Sequence, residues 1–157
     1  MPRSGATLTT GASTVVNIGT RFGDSLTGSI DNDALSGKSG GDLLDGLDGD
    51  DLLFGGRDGD VMFGGVGDDA IVGGRGDDNL FGGEGNDVLR GGRGHDVFHF
   101  VIGDEGLVSG VDRILDFRSA RDVVVVDCPS AWLKARVSDS PYFQTFVETV
   151  IDLSKSL

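Results

Sequence analysis

Nine aspartates recur at a fixed spacing of nine residues: Asp24, Asp33, Asp42, Asp51, Asp60, Asp69, Asp78, Asp87 and Asp96. If the chain winds so that these residues stack, like charges come within roughly 5 Å of one another and repel. Such files need a hard cation between neighbouring members. Calcium suits them, because it takes about six to eight oxygens and mixes carboxylates with backbone carbonyls in a flexible geometry.

The elements that must position these carboxylates are legible in the same register. Each unit opens on a glycine, at Gly19, Gly28, Gly37, Gly46, Gly55, Gly64, Gly73, Gly82 and Gly91. The sixth place holds the aspartate, and the eighth is always apolar: Leu26, Leu35, Leu44, Leu53, Met62, Ile71, Leu80, Leu89 and Phe98. The last three residues of a unit read as a short strand with its middle side chain pointing to one face. The other six are mostly Gly, Asp and Asn, types that tolerate positive φ and tight turns. Loop, strand, loop, strand closes one coil every two units, and the coils stack about 4.8 Å apart as parallel strands. Each unit buries its apolar face only against its neighbours, which is the logic of a solenoid. A disordered Gly/Asp linker gives no reason to hold an apolar residue in one phase through nine units. Disorder is the expectation only without calcium.

Copies such as GGVGDDAIV (Gly64 to Val72) and GGRGDDNLF (Gly73 to Phe81) resemble the RTX family of calcium-binding repeats, signature GGxGxDx-apolar-x. The resemblance covers about half the chain. It implies an all-β fold, a right-handed parallel β-roll of two sheets with 18 residues per coil and a C-terminal cap. It also implies that each ion lies between a loop and the loop two units later. The earlier loop gives its second and fourth carbonyls and its aspartate; the later one gives its first and third carbonyls and its aspartate. Carried over, one site takes Gly56, Asp58 and Asp60 with Gly73, Arg75 and Asp78, and another Gly65, Gly67 and Asp69 with Gly82, Glu84 and Asp87. Leu47 and Gly49 with Gly64 and Val66, and Gly74 and Gly76 with Gly91 and Arg93, are the corresponding carbonyls of two further sites. Gly55 and Arg57 are the later carbonyls of a fifth. Nine units allow seven such pairs. The first units depart from the pattern, with Phe22 and Asp31 at the fourth place and Lys38 at the second. Bulky residues resist glycine-only conformations, so the sites nearest the N-terminus are expected to be weak or empty.

Composition agrees with this chemistry. The net charge is −13 over 157 residues, with no basic cluster that would suit nucleic acid. Seven calcium ions would add about +14 and bring the complex near neutrality. A single cysteine, Cys128, leaves no internal disulfide. No N-terminal run reads as a cleavable signal and no segment is long enough to span a bilayer. The resemblance implies export by a type I system reading a C-terminal signal, with folding in the calcium-rich exterior.

The chain divides into an N-terminal capping strand (1–18), the nine-unit roll (19–99) and a C-terminal cap with the export signal (100–157). The run from Asp96 to Phe100 reads as a longer strand, 103–110 as a loop, and VDRILDF and DVVVVD as further strands. That pattern is similar to the segment following the repeats in serralysin-type protease C-terminal domains and alginate epimerase modules. By that likeness Asp112 and Asp116 ligate or cap; equally, both are strand-end aspartates on turn amides. Ser130 reads as a helix N-cap, and 142–154 as an apolar lid in which helical period and β propensity disagree.

No catalytic constellation is found. HExxH and GxSxG are absent, and His95 and His99 read as surface residues rather than a metal pair. The outward positions carry Leu43, Val61, Phe63, Phe81 and Val97 on one side and Leu52, Phe54, Val72 and Val88 on the other. Such a face is expected to be covered by the C-terminal segment or a second copy, or to bind a ligand. A secreted calcium-binding module without catalysis is the first reading. A polysaccharide-binding module or a protein adaptor stand as alternatives.

Overall fold

A computed structural model of the chain describes residues 14–101 and 111–127. The expected loop at 103–110, Cys128, the Ser130 cap and the lid at 142–154 lie outside the described residues, as does most of the N-terminal segment.

Twelve strands follow one another without a helix among the described residues. They are β1 (Val16–Ile18), β2 (Ser25–Thr27), β3 (Ala34–Ser39), β4 (Leu43–Asp48), β5 (Leu52–Arg57) and β6 (Val61–Val66). The rest are β7 (Ala70–Arg75), β8 (Asn79–Glu84), β9 (Val88–Arg93), β10 (Val97–Val101), β11 (Arg113–Ile114) and β12 (Val123–Asp127). Odd strands form one parallel sheet, β1-β3-β5-β7-β9-β11, and even strands the other, β2-β4-β6-β8-β10-β12. Within the repeats, partners lie eighteen residues apart, as in Leu44 with Met62 and Leu53 with Ile71. The molecule is a two-sheet parallel β-solenoid, as its period implies.

The apolar eighth positions meet between the sheets. Leu26, Leu35, Leu44, Leu53, Met62, Ile71, Leu80, Leu89 and Phe98 are each fully buried, and Ile114 joins them from β11. Phe100, Phe117 and Val124 pack on the C-terminal end of this core. One residue per unit makes a thin core, so neighbouring coils must supply the rest of the cohesion.

Strand length corrects the sequence reading. Most strands in the repeats run six residues, not three, because pairing continues across the first three places of the next unit, as in Gly56 with Gly74 and Arg57 with Arg75. β10, expected as an extended one, has five residues. The reason for the added length is backbone rather than side-chain propensity. Gly56, Gly65, Gly74, Gly83 and Gly92 hold φ between 103° and 123°, which only glycine adopts without strain. A Cβ built on Gly65 would fall against the Leu47 carbonyl oxygen of the coil below, so no side chain fits there. Lys38 and Leu47 take positive φ themselves, at 78° and 82°, so their loops keep the repeat's shape at a conformational cost. No positive φ occurs in the loops of the first two units.

Candidate metal centre

The turn before each strand delivers one aspartate to the interior, so the sixth-place residues form two files. Asp24, Asp42, Asp60, Asp78 and Asp96 lie on one side, and Asp33, Asp51, Asp69 and Asp87 on the other, all of them buried. One oxygen of each later carboxylate accepts the backbone N–H of the aspartate eighteen residues earlier. Oδ1 of Asp60 takes the Asp42 N–H at 2.8 Å, and Oδ1 of Asp78 takes the Asp60 N–H at 2.9 Å. The other oxygen is orphaned. Oδ2 of Asp42, Asp51, Asp60, Asp69, Asp78, Asp87 and Asp96 is buried without a hydrogen-bond partner. A buried polar atom left unpaired costs about 1–3 kcal/mol, and more when it carries charge, so seven in two rows call for a ligand.

What faces these oxygens fits a hard cation. In five units the orphaned Oδ2 and the first-place carbonyl of the next coil lie beside the same spot, the Cβ position of the first-place glycine. Asp60 Oδ2 and the Gly73 carbonyl both border the Cβ position of Gly55, and Asp78 Oδ2 and the Gly91 carbonyl that of Gly73. The same holds for Asp42 with Gly55, Asp51 with Gly64, and Asp69 with Gly82. Second- and fourth-place carbonyls (Leu47, Gly49, Gly56, Asp58, Gly65, Gly67, Gly74, Gly76) abut the matching glycines of the next coil. Of the third-place carbonyls expected as ligands, Val66, Glu84 and Arg93 accept ladder bonds from the Gly49, Gly67 and Gly76 N–H groups. Each keeps a second lone pair. Arg57 and Arg75 are paired with each other in the β5–β7 register. Among the described residues no three or more His, Cys, Asp or Glu side chains gather at one point. The donors are instead stacked carboxylates supplemented by carbonyls, the oxygen mixture that calcium accepts.

The two N-terminal clefts differ. Oδ2 of Asp24 accepts the Thr20 N–H, and Oδ2 of Asp33 accepts the Ser29 N–H. Without positive φ at the second place, the backbone N–H turns toward the carboxylate and satisfies it.

Burial dominates the electrostatics. It pushes the Asp60 and Asp69 carboxyls up to about 7, and those of Asp51, Asp78 and Asp87 up to about 6, against the pull of the backbone N–H bonds. Neighbouring aspartates add to the rise. Asp42, Asp96 and Asp112 are raised by the same desolvation.

Three features were not read from the sequence. Asn32, Asp50, Asp68 and Asn86 form a second ladder at the fifth place of the even units, each accepting or donating across eighteen residues, as in Asp68 N–H to Asp50 Oδ1 at 3.0 Å. Its signal is visible at a period of eighteen but not of nine. Second, the rings of Phe63 and Phe81 stack at 4.5 Å and those of Phe81 and His99 at 4.0 Å, so His99 belongs to an aromatic file rather than the open surface. Exposed His95 instead meets the Arg121 carbonyl through Nδ1. Third, the aspartate files continue past the repeats. Asp112 accepts the Asp87 N–H and Asp122 accepts the Asp96 N–H, while Asp116 accepts the Gly91 and Gly92 N–H groups. These contacts with backbone amides fit the strand-end reading of Asp112 and Asp116 as well as the capping one.

No curated protein and no solved structure matches the chain. A family model for the RTX calcium-binding nonapeptide repeat (4 copies) matches residues 18–44, 27–62, 36–71 and 63–98, together just over half of the chain.

Proposed function

Because the chain belongs to the RTX calcium-binding nonapeptide repeat family, we propose that it is a secreted, non-catalytic module that orders when calcium enters its inter-coil clefts. The observation that carries the reading is the double row of buried, unpartnered Asp Oδ2 atoms, five of which share the space beside a first-place glycine with a carbonyl oxygen of the next coil. Bound calcium would supply the positive charge that lets these carboxylates stay ionised inside the rod. Asp42, Asp51, Asp60, Asp69 and Asp78, with the first-place carbonyls of Gly55, Gly64, Gly73, Gly82 and Gly91, define five clefts in which both partners converge and the carboxylate is free. Gly56 and Asp58 would complete one of them with Arg75, and Gly65 and Gly67 another with Glu84. The clefts of Asp24 and Asp33 are already served by backbone N–H groups, so five ions rather than seven is the expected load.

The RTX repeats are typical of extracellular proteins, and no helix among the described residues is long and apolar enough to cross a membrane. Export by a type I system through a C-terminal signal follows from that likeness. Sites that need millimolar calcium would stay empty in a cytosol and fill outside.

Asp78 lies between two coils, with Oδ1 on the Asp60 N–H and its own N–H on Asp96 Oδ1 at 3.2 Å. Asp78→Ala is therefore expected to weaken two clefts at once, while Asp24→Ala leaves the ion count unchanged. Native mass spectrometry at fixed calcium reads both counts. Loss of a single ion from the Asp78 variant would refute a carboxylate shared between clefts.

On the outer face, a second copy of the chain is favoured over a polysaccharide. Sugar rings lie on aromatic faces, but Phe63, Phe81 and His99 stack their faces on one another. Leu43, Leu52 and Phe54 remain exposed. Sedimentation with calcium should show a dimer; a monomer there, together with retention on an acidic glycan column, would reverse the preference.

A further inference from the structure

At the C-terminal end the loop of residues 117–122 stacks on the loop of residues 91–96, since β12 continues the sheet beyond β10 in register, Val97 beside Val123. By its place this last loop is the later partner of one more inter-coil cleft. Its composition is wrong for an ion: Phe117 stands at the first place and Arg118 at the second, where glycines stand in the best copies of the repeat. The Arg118 guanidinium instead donates from Nη1 to the Gly92 carbonyl at 2.7 Å. Gly92 is the second-place residue of its loop, the counterpart of Gly56 and Gly65, whose carbonyls the proposed clefts turn to the ion. The Arg118 backbone N–H meanwhile donates to Asp122 Oδ2 at 2.7 Å, and Asp122 Oδ1 accepts the Asp96 N–H at 3.3 Å. Both oxygens of Asp122, the later carboxylate of this cleft, are thus taken by the protein, while Asp96 Oδ2 stays unpartnered beneath.

We infer that Arg118 is a tethered cation standing in for the terminal calcium, closing the ion file with a guanidinium that cannot diffuse away. The need is physical. A stack of clefts ends on a carboxylate with an ion on one side only, and the outermost ion would be the most exposed and first lost. A guanidinium is permanently charged, and its donors suit carbonyl oxygens. In the ordered roll it anchors the last coil without an ion of its own. The inference rests on the calcium reading above, yet concerns residues of this chain alone.

The test compares the full chain with Arg118→Ala, Arg118→Lys and the charge-matched control Arg121→Ala. Arg121 contributes its backbone to the same turn, through its carbonyl to His95 and its N–H to the Arg118 carbonyl. Two quantities are read in saturating calcium: amide hydrogen exchange along β12 and β6, and the number of bound ions. For Arg118→Ala, exchange in β12 should rise at least about tenfold with β6 unchanged, or the count should rise by one as calcium takes the vacated place. Arg118→Lys should fall between, keeping the charge but losing the fork, and Arg121→Ala should match the parent. Unchanged β12 exchange together with an unchanged count in Arg118→Ala would overturn the inference, as would an equal effect in Arg121→Ala. Should Arg118→Ala fail to fold, the Arg118→Lys and Arg121→Ala pair still decides: a lysine variant identical to the parent in β12 sinks it. Failure of the underlying calcium reading looks different, since the parent chain itself would then bind no ions.

Discussion

In excess chelator at pH 7.5 the chain is expected to lose its sheet signal in far-ultraviolet circular dichroism, and to regain it on adding calcium. The magnitudes lean that way. Ten apolar side chains make up the core cluster, each contributing about 1.5–3 kcal/mol on burial. Against them stand seven orphaned carboxylate oxygens, each costing at least about 1–3 kcal/mol. The second sum offsets much of the first before chain entropy is counted, and glycine loses more of that entropy on ordering than any other residue. Among 157 residues, 28 are glycine, so the ion-free roll has no margin at neutral pH. Ions that bind only the ordered form then shift the balance by mass action. Sheets that persist through exhaustive chelation at this pH would show that packing alone suffices, and the structural role of the ion would fall.

The parts of this architecture that repeat at nine residues could be read directly, and the parts that repeat at eighteen could not. Leu53 or Ile71 announces a core position because the same residue type returns in every unit. Asp60 announces an interior carboxylate for the same reason. Asp50 and Asp68, by contrast, alternate with Gly41, Gly59 and Asp77 at the fifth place, so their ladder disappears into apparent variation at the shorter period. Strand length was hidden differently. Propensity scales disfavour a strand through Gly55 and Gly56, but the parallel partner two units away supplies the hydrogen bonds, and tertiary pairing overrides local preference. His99 joined the Phe63–Phe81 file because the ninth places of alternate units superpose, a relation that depends on coil registry rather than on neighbours in sequence. Arg118 gave no signal at all. An arginine in a turn reads as a solvated charge until the stacked loop beneath it offers the Gly92 carbonyl.

Lowering the pH without calcium should restore the roll that chelation removes. In the ordered, ion-free chain, burial lifts Asp60 and Asp69 to about 7 and Asp51, Asp78 and Asp87 to about 6, whereas an unfolded aspartate titrates near ~3.9. Between these values the ordered form holds more protons than the disordered one. Its stability therefore falls as pH rises, being fully present below about 4 and lost through the range of 6 to 7. Chelated protein taken from pH 7.5 to pH 5 should gain sheet structure, with the change centred between pH 6 and 7, while apparent calcium affinity falls over the same range as protons compete for the carboxylates. Asp78→Asn isolates the cause. A neutral amide mimics the protonated acid, so this variant should order more readily than the parent in chelator at pH 7.5 and yet bind calcium more weakly. The two effects have opposite signs, and a general loss of packing cannot produce that pair. If the chelated parent stays disordered at pH 5, and Asp78→Asn gains nothing in chelator, then ionised carboxylates are not what keeps the metal-free chain open, and the cost must lie in the glycine backbone instead.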